Sequence, residues 1–186
     1  MENGLTTIDV HVRGIKPLLQ HSTYAMTLPK SKKVKSSEYD SEEDARLCLY
    51  KDDNGINCIP SMHFLAALKK SAVNLKKAGA GKKTLKDFVF SGLEIAPEMM
   101  PLTPQEYKVD VQIVMVGTAR VARSRPLFKN WEVKFQITIK DDQTWDAGTV
   151  RQVLEDAGKY QGIGDYRPLY GTFEIVDMRV GDKEVK

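Results

Sequence analysis

Residues 131–139 read WEVKFQITI, and their alternation decides the fold class. Trp131, Val133, Phe135, Ile137 and Ile139 fall on one face, and Glu132, Lys134, Gln136 and Thr138 on the other. A period of two with one apolar face is a half-buried strand covering a core from one side. Ile8, Val10 and Val12 alternate in the same way with Asp9, His11 and Arg13, and Val109, Val111 and Ile113 give a further main strand. A last strand over 171–180 changes apolar phase between Ile175 and Val176, which predicts a bulge. Gly14 is placed to mark another.

Two helices complete the plan. Phe64, Leu65, Leu68, Ala72 and Leu75 recur at helical spacing after Pro60–Ser61, with Ser61 as N-cap and Gly79 and Gly81 as the stop. Val150, Val153, Leu154 and Ala157 stripe a second helix over about 146–158. Residues 88–95 read as a short strand, and Leu47–Tyr50 and Ile56–Ile59 as a hairpin around Asn54–Gly55. Pro97, Pro101 and Pro104 then break regular structure. The order is α+β: a ferredoxin-like (RRM-like) βαββαβ arrangement with an added hairpin and a basic insertion between the central strands. At 186 residues the chain is expected to be a single domain, 1–186. Within it, 21–46 reads as a flexible insertion and 117–130 as a connection far longer than a tight hairpin turn.

Composition narrows the function classes. A hydrophobic fraction of 41 % with 28 % charged residues is that of a soluble globule, and no apolar run is long enough to span a membrane. Met1–Thr7 carries no secretory pattern, so the expected compartment is the cytoplasm. Cys48 and Cys58 flank the hairpin turn. A disulfide, a two-ligand metal clip or two packed thiols all fit, and the reducing compartment favours thiols. No His or Cys cluster has metal-site spacing, and no cofactor is implied.

The net charge is only +3, but the charge is segregated. Lys30, Lys32, Lys33 and Lys35 form one run; Lys69, Lys70, Lys76, Lys77, Lys82, Lys83 and Lys86 a second; Arg120, Arg123, Arg125 and Lys129 a third. Segregation of this kind points to a polyanionic partner: RNA, or single-stranded DNA. The stretch Gly162–Ile163–Gly164–Asp165–Tyr166–Arg167 adds glycines for close approach, a cation and a stacking plane, which suits a phosphate backbone or an unstacked base. A Gly-x-Gly after a helix and before a strand reverses the dinucleotide-site order.

The plan resembles the RAMP superfamily of CRISPR-associated proteins, particularly the subunits that coat guide RNA. The resemblance is carried by Gly162–Ile163–Gly164, Arg167 and Gly171–Thr172–Phe173 before the last strand, and by Ile59–Pro60–Ser61 before the lysine-bearing helix. The spacer is one residue longer than the usual form, and Thr172 stands where an apolar residue is common. The resemblance implies a non-catalytic RNA-binding subunit of a CRISPR-type or related ribonucleoprotein, acting in antiviral defence. Its partners would be RNA and either copies of itself along the strand or other effector subunits. It makes the helix start at Ser61 a phosphate site, Lys69, Lys70, Lys82 and Lys83 a track along the backbone, and 117–130 a thumb-like projection. Arg120, Arg123, Arg125 and Lys129 would meet phosphates there, with Phe128 as a stacking ring or a core anchor. The glycine loop would contribute Gly162, Gly164, Tyr166 and Arg167.

Two alternatives stand beside it. A RAMP-type endoribonuclease would use His21 as general base, or Asp40 or Asp44 with a metal. A structural protein of a mobile element would bind no nucleic acid.

Overall fold

The computed structural model describes residues 5–24, 40–77, 79 and 81–185. The lysine run Lys30–Lys35 and most of the 21–46 insertion lie outside them. The alternating strands form the centre of an antiparallel sheet. β1 (Thr6–Gly14) lies between β8 (Glu132–Ile139) and β9 (Phe173–Val180), with Val10 opposite Phe135 on one side and Met178 on the other. Two short strands divide the far edge of β8: β4 (Leu93–Ala96) pairs with its C-terminal half and β5 (Met99–Thr103) with its start. β3 (Cys58–Pro60) extends β5, and β10 (Lys183–Glu184) extends β9. The bulge expected near Ile175 is present: His11 pairs with Asp177 and Val12 with Ile175, so Val176 has no opposite number. Gly14 instead ends β1, where the Trp131 indole occupies the space a β-carbon would need.

The apolar face is covered by two helices, α2 (Ser61–Ser71) and α4 (Ala147–Asp156). Phe64 sits at the centre, fully buried, 4.7 Å from the Phe135 ring and 5.3 Å from Phe173. Asp146 caps α4 by accepting from the Thr149 N–H. At α2 the expectation of a Ser61 cap is corrected. Pro60 holds the cap position, and Ser61 is a buried first-turn residue whose N–H donates to the Glu98 carbonyl (2.8 Å). The helix also stops at Ser71 and a 3-10 turn over Ala72–Asn74, not at Gly79. Pairing across a turn competes for the backbone there: Leu85 N–H bonds to the Leu75 carbonyl and Lys77 N–H to the Lys83 carbonyl.

The region 88–95 is helical before it is a strand. A 3-10 turn (Leu85–Phe88) and the single turn α3 (Val89–Gly92) precede β4, held by Trp145, whose indole N–H donates to the Phe88 carbonyl. The 47–59 hairpin is reduced to a Lys51–Asn57 bridge, because Leu47 closes the helix α1 (Ser41–Leu47). Pro101 does not break structure but lies in β5, opposite Cys58 of the short outer strand β3.

The largest difference concerns residues 108–128. β6 (Lys108–Val116) is not in the main sheet. It pairs along its length with β7 (Ala119–Phe128) through a turn at Gly117–Thr118, and β2 (Leu18–Leu19) adds to β7 to make a second, three-stranded sheet. The segment 117–130 is therefore a tight turn and a strand rather than a long connection. Arginines on both faces and Pro126 hide its period of two. Pro126 lies in register opposite Val109, and its carbonyl accepts from the Gln20 N–H (3.2 Å). Both cysteines are buried free thiols. No helix among the described residues is long and apolar enough to cross a membrane.

Candidate nucleic-acid interface

The glycine-rich segment closes on itself at the end of α4. The helix widens into a π turn (Ala157–Gln161), and Gly162 N–H bonds back to the Ala157 carbonyl. Ile163 N–H donates to the Gly171 carbonyl, and Gly171 N–H to the Pro17 carbonyl. A β-carbon on Gly171, at φ +71°, would collide with the Ile163 carbonyl. Asp165 N–H bonds to the Leu19 carbonyl, and Gly164 N–H to His63 Nδ1 (3.3 Å), which ties the loop to β2 and to the first turn of α2. The base of the loop is thus buried while its tip, Tyr166–Leu169, is exposed.

Onto this loop the second sheet lays Arg125. Its Nε lies 2.7 Å from Asp165 Oδ2, and its guanidinium carbon 4.8 Å from the Tyr166 ring centre. Tyr166 holds a left-handed backbone (φ 53°) to bring its ring there. Arg125 is only 8 % exposed, yet its Nε and Nη1 and the Asp165 Oδ2 lack an aligned hydrogen bond. The two groups form a close ion pair, with Arg125 Nη1 lacking a protein acceptor. Arg123 shares the Arg125 face of β7 and pairs in register with Gln112, whose amide reaches Tyr170 Oη (3.4 Å). Arg167 is exposed at the loop tip, and Lys129 at the turn into β8.

The expected cations do not all gather here. Arg120 lies on the opposite face of β7, near the hairpin turn. Lys69 and Lys70 close the last turn of α2, about 13 Å along the axis from Ser61. Lys69 Nζ sits over the Phe90 ring at 4.5 Å, and Lys82 and Lys83 are exposed in the turn beyond. Lys77 is pinned at that end by Asp141 and Thr144. A single cationic face beside the glycine loop is therefore corrected to two clusters at opposite ends of α2: guanidinium groups at the loop, lysines at the far end. Phe128 is fully buried against Tyr107 and is a core anchor, with no surface for a base.

The catalytic candidates have structural partners. Asp40 caps α1 by accepting from the Glu42 and Glu43 N–H groups. Asp44 accepts from the Ser124 N–H (3.0 Å), which fixes α1 to β7. Among the described residues no group of three or more His, Cys, Asp or Glu side chains is placed to hold a metal ion. His21 Nδ1 lies 3.9 Å from Asp165 Oδ2. Burial, then the Arg125 charge, pushes its pKa below the usual histidine value.

The chain shares its fold with a chain of the Type III-B Cmr-beta structure. That structure, solved by cryo-EM, is of Cmr-beta bound to cognate target RNA. The TM-score is 0.54 at 10 % sequence identity, over 98 % of this chain and 61 % of the other, so the present chain spans about three-fifths of its neighbour's length. No protein-family model and no curated protein sequence matches the chain. At this identity the likeness is one of fold.

Three residues of the site have no signal in the sequence. His63 is a half-buried acceptor for Gly164, held neutral by desolvation and by Arg167, which lower its pKa to about 4. Tyr50 meets its ring edge-on at 5.4 Å and donates its hydroxyl to the His21 carbonyl. Gln20 is buried and bridges the Cys58 carbonyl and the Tyr50 N–H. Each works through a partner distant in the chain.

Proposed function

We propose that the chain is a non-catalytic RNA-binding subunit of a CRISPR-type or related ribonucleoprotein, taking single-stranded RNA across its glycine-loop end. The observation that carries this reading is the Arg125 guanidinium packed on the exposed Tyr166 ring, with Arg167 exposed on the same loop. A planar fork for phosphate next to an aromatic plane for a base is the pairing single strands require. Two further points support it. The main sheet runs β9-β1-β8 and then β4 and β5, with α2 and α4 on one face, which fits a ferredoxin-like RAMP reading. The structural neighbour is a chain of a structure of Cmr-beta bound to cognate target RNA. Its other partners would be effector subunits or further copies of the chain.

The test is binding of a short single-stranded RNA by anisotropy across a salt series, with single-stranded DNA in parallel. Affinity is expected to fall linearly in log salt, by about 0.7 per phosphate contacted. A protein that binds neither strand, or binds with no salt dependence, overturns the reading.

A second reading, RNA cleavage, has one observation in its favour: His21 Nδ1 lies 3.9 Å from Asp165 Oδ2, next to Arg125. Cleavage by wild type and none by His21→Ala would replace the first reading with this one.

A further inference from the structure

A second concavity opens next to the glycine-loop site. It is a cleft of about 350 Å³, at the low end of small-ligand sites. Tyr24, Arg46, Leu49, Tyr50, Lys51 and Met99 line it. Tyr50 is the shared wall: its ring packs on His63, which holds the Gly164 N–H, and its hydroxyl bonds to the His21 carbonyl. On the rim Tyr24 is 61 % exposed, and Lys51 and Arg46 are exposed as well, with Arg46 3.9 Å from Glu43 across a solvent-facing pair. The floor is apolar. The polar groups beneath it are spent within the fold: Ser22 Oγ donates to the Leu47 carbonyl, and Gln20 bridges Cys58 and Tyr50.

We propose that this cleft holds one unstacked nucleobase of the RNA strand whose phosphates meet Arg125, with Tyr24 and Tyr50 as the stacking planes and Arg46 and Lys51 at the flanking phosphates. The proposal rests on the RNA-binding reading and adds a subsite to it. Two rings with two cations at the rim are the chemistry of a single-strand stacking pocket. With Ser22 and Gln20 already paired, what the floor offers a base is chiefly a surface to stack on.

The test compares RNA with an abasic ribose-phosphate strand of equal length, using full-length protein freed of co-purifying nucleic acid. Wild type is expected to prefer RNA. Tyr24→Ala is expected to weaken RNA binding by about five- to hundredfold and to leave the abasic strand unaffected. Arg125→Ala weakens both strands alike. A thiouridine-substituted RNA photo-crosslinked to wild type, which needs no variant to fold, is expected to label the peptides carrying Tyr24 or Tyr50. Wild type that binds RNA with no loss in Tyr24→Ala, or that crosslinks only elsewhere, overturns the cleft and leaves the RNA reading standing. Wild type that binds neither strand overturns both.

Discussion

Arg125→Ala separates the structural from the functional work of one side chain. The guanidinium is 8 % exposed, 2.7 Å from Asp165 Oδ2. Removing it leaves the carboxylate facing His21 at 3.9 Å. Deleting one member of a fully buried ion pair costs about 3–5 kcal/mol. The Asp165 side chain keeps 33 % of its surface in water, so it rehydrates. The expected loss is then about 1–2 kcal/mol, or roughly 2–8 °C in Tm for a chain of this size. The binding effect has a different signature: anisotropy across a salt series should show weaker RNA binding with the slope reduced by about 0.7, one phosphate. Asp165→Asn gives the opposite sign. It keeps the shape, removes the competing charge and frees the guanidinium, so RNA should bind roughly tenfold tighter at low salt. An unaltered slope in Arg125→Ala, together with unaltered affinity in Asp165→Asn, would refute a phosphate contact at Arg125 and reduce the pair to a structural tie.

Other substitutions probe the frame around it. Gly164→Val places a β-branched side chain at φ +80°, against the Leu19 carbonyl and the Leu18 side chain; a loss of about 2–3 kcal/mol in chemical unfolding is expected, with RNA binding impaired in whatever fraction stays folded. His63 has a folded-state pKa lowered to about 4 against 6.5 unfolded, so the unfolded chain takes up the proton first and stability falls as pH drops from 6.5. The loss by pH 5 is about 2 kcal/mol, and His63→Gln should flatten the Tm–pH curve over that window. Lys82→Ala with Lys83→Ala, at the far end of α2, should change the RNA salt slope less than Arg123→Ala does; an equal or larger change would place the strand along both ends of the helix.

The parts of the fold legible in the sequence are those whose signal is local. Residues 131–139 bury one face against one helix layer, so their period survives in the side chains, and the same holds for β1 and for the stripe of α4. The 119–128 strand was hidden because neither of its faces is uniformly apolar: Arg123 and Arg125 point toward the glycine loop, while Ser124 and Pro126 are buried on the other side. The end of α2 was misread for a related reason. Its apolar spacing continues to Leu75, but the backbone there is committed to Leu85, a partner no helical pattern announces. At the site, Arg125, Tyr166 and Arg167 were legible as residue types. Asp165 as the partner of Arg125, and His63 as that of Gly164, were not, since those contacts span 40 and 101 positions of chain.

The distribution of charge explains why the loop end, and not the open face of the main sheet, is the candidate surface. On that face most polar groups are paired in place: Arg13 with Glu174 at 2.7 Å, Arg179 with Asp177 at 2.9 Å, and His11 hydrogen-bonded to Glu132 at 2.8 Å. The alternation of β1, β8 and β9 turns their aromatic residues, Phe135 and Phe173, inward, so the described residues of that face give a base no ring to stack on. A sheet-face mode of RNA binding needs exposed rings there. At the loop end the balance reverses. Asp165 stands against Arg123, Arg125 and Arg167, and Tyr166 is exposed beside them. A polyanion meeting Arg125 there competes chiefly with Asp165, whereas on the sheet it would have to break the Arg13–Glu174 and Arg179–Asp177 pairs.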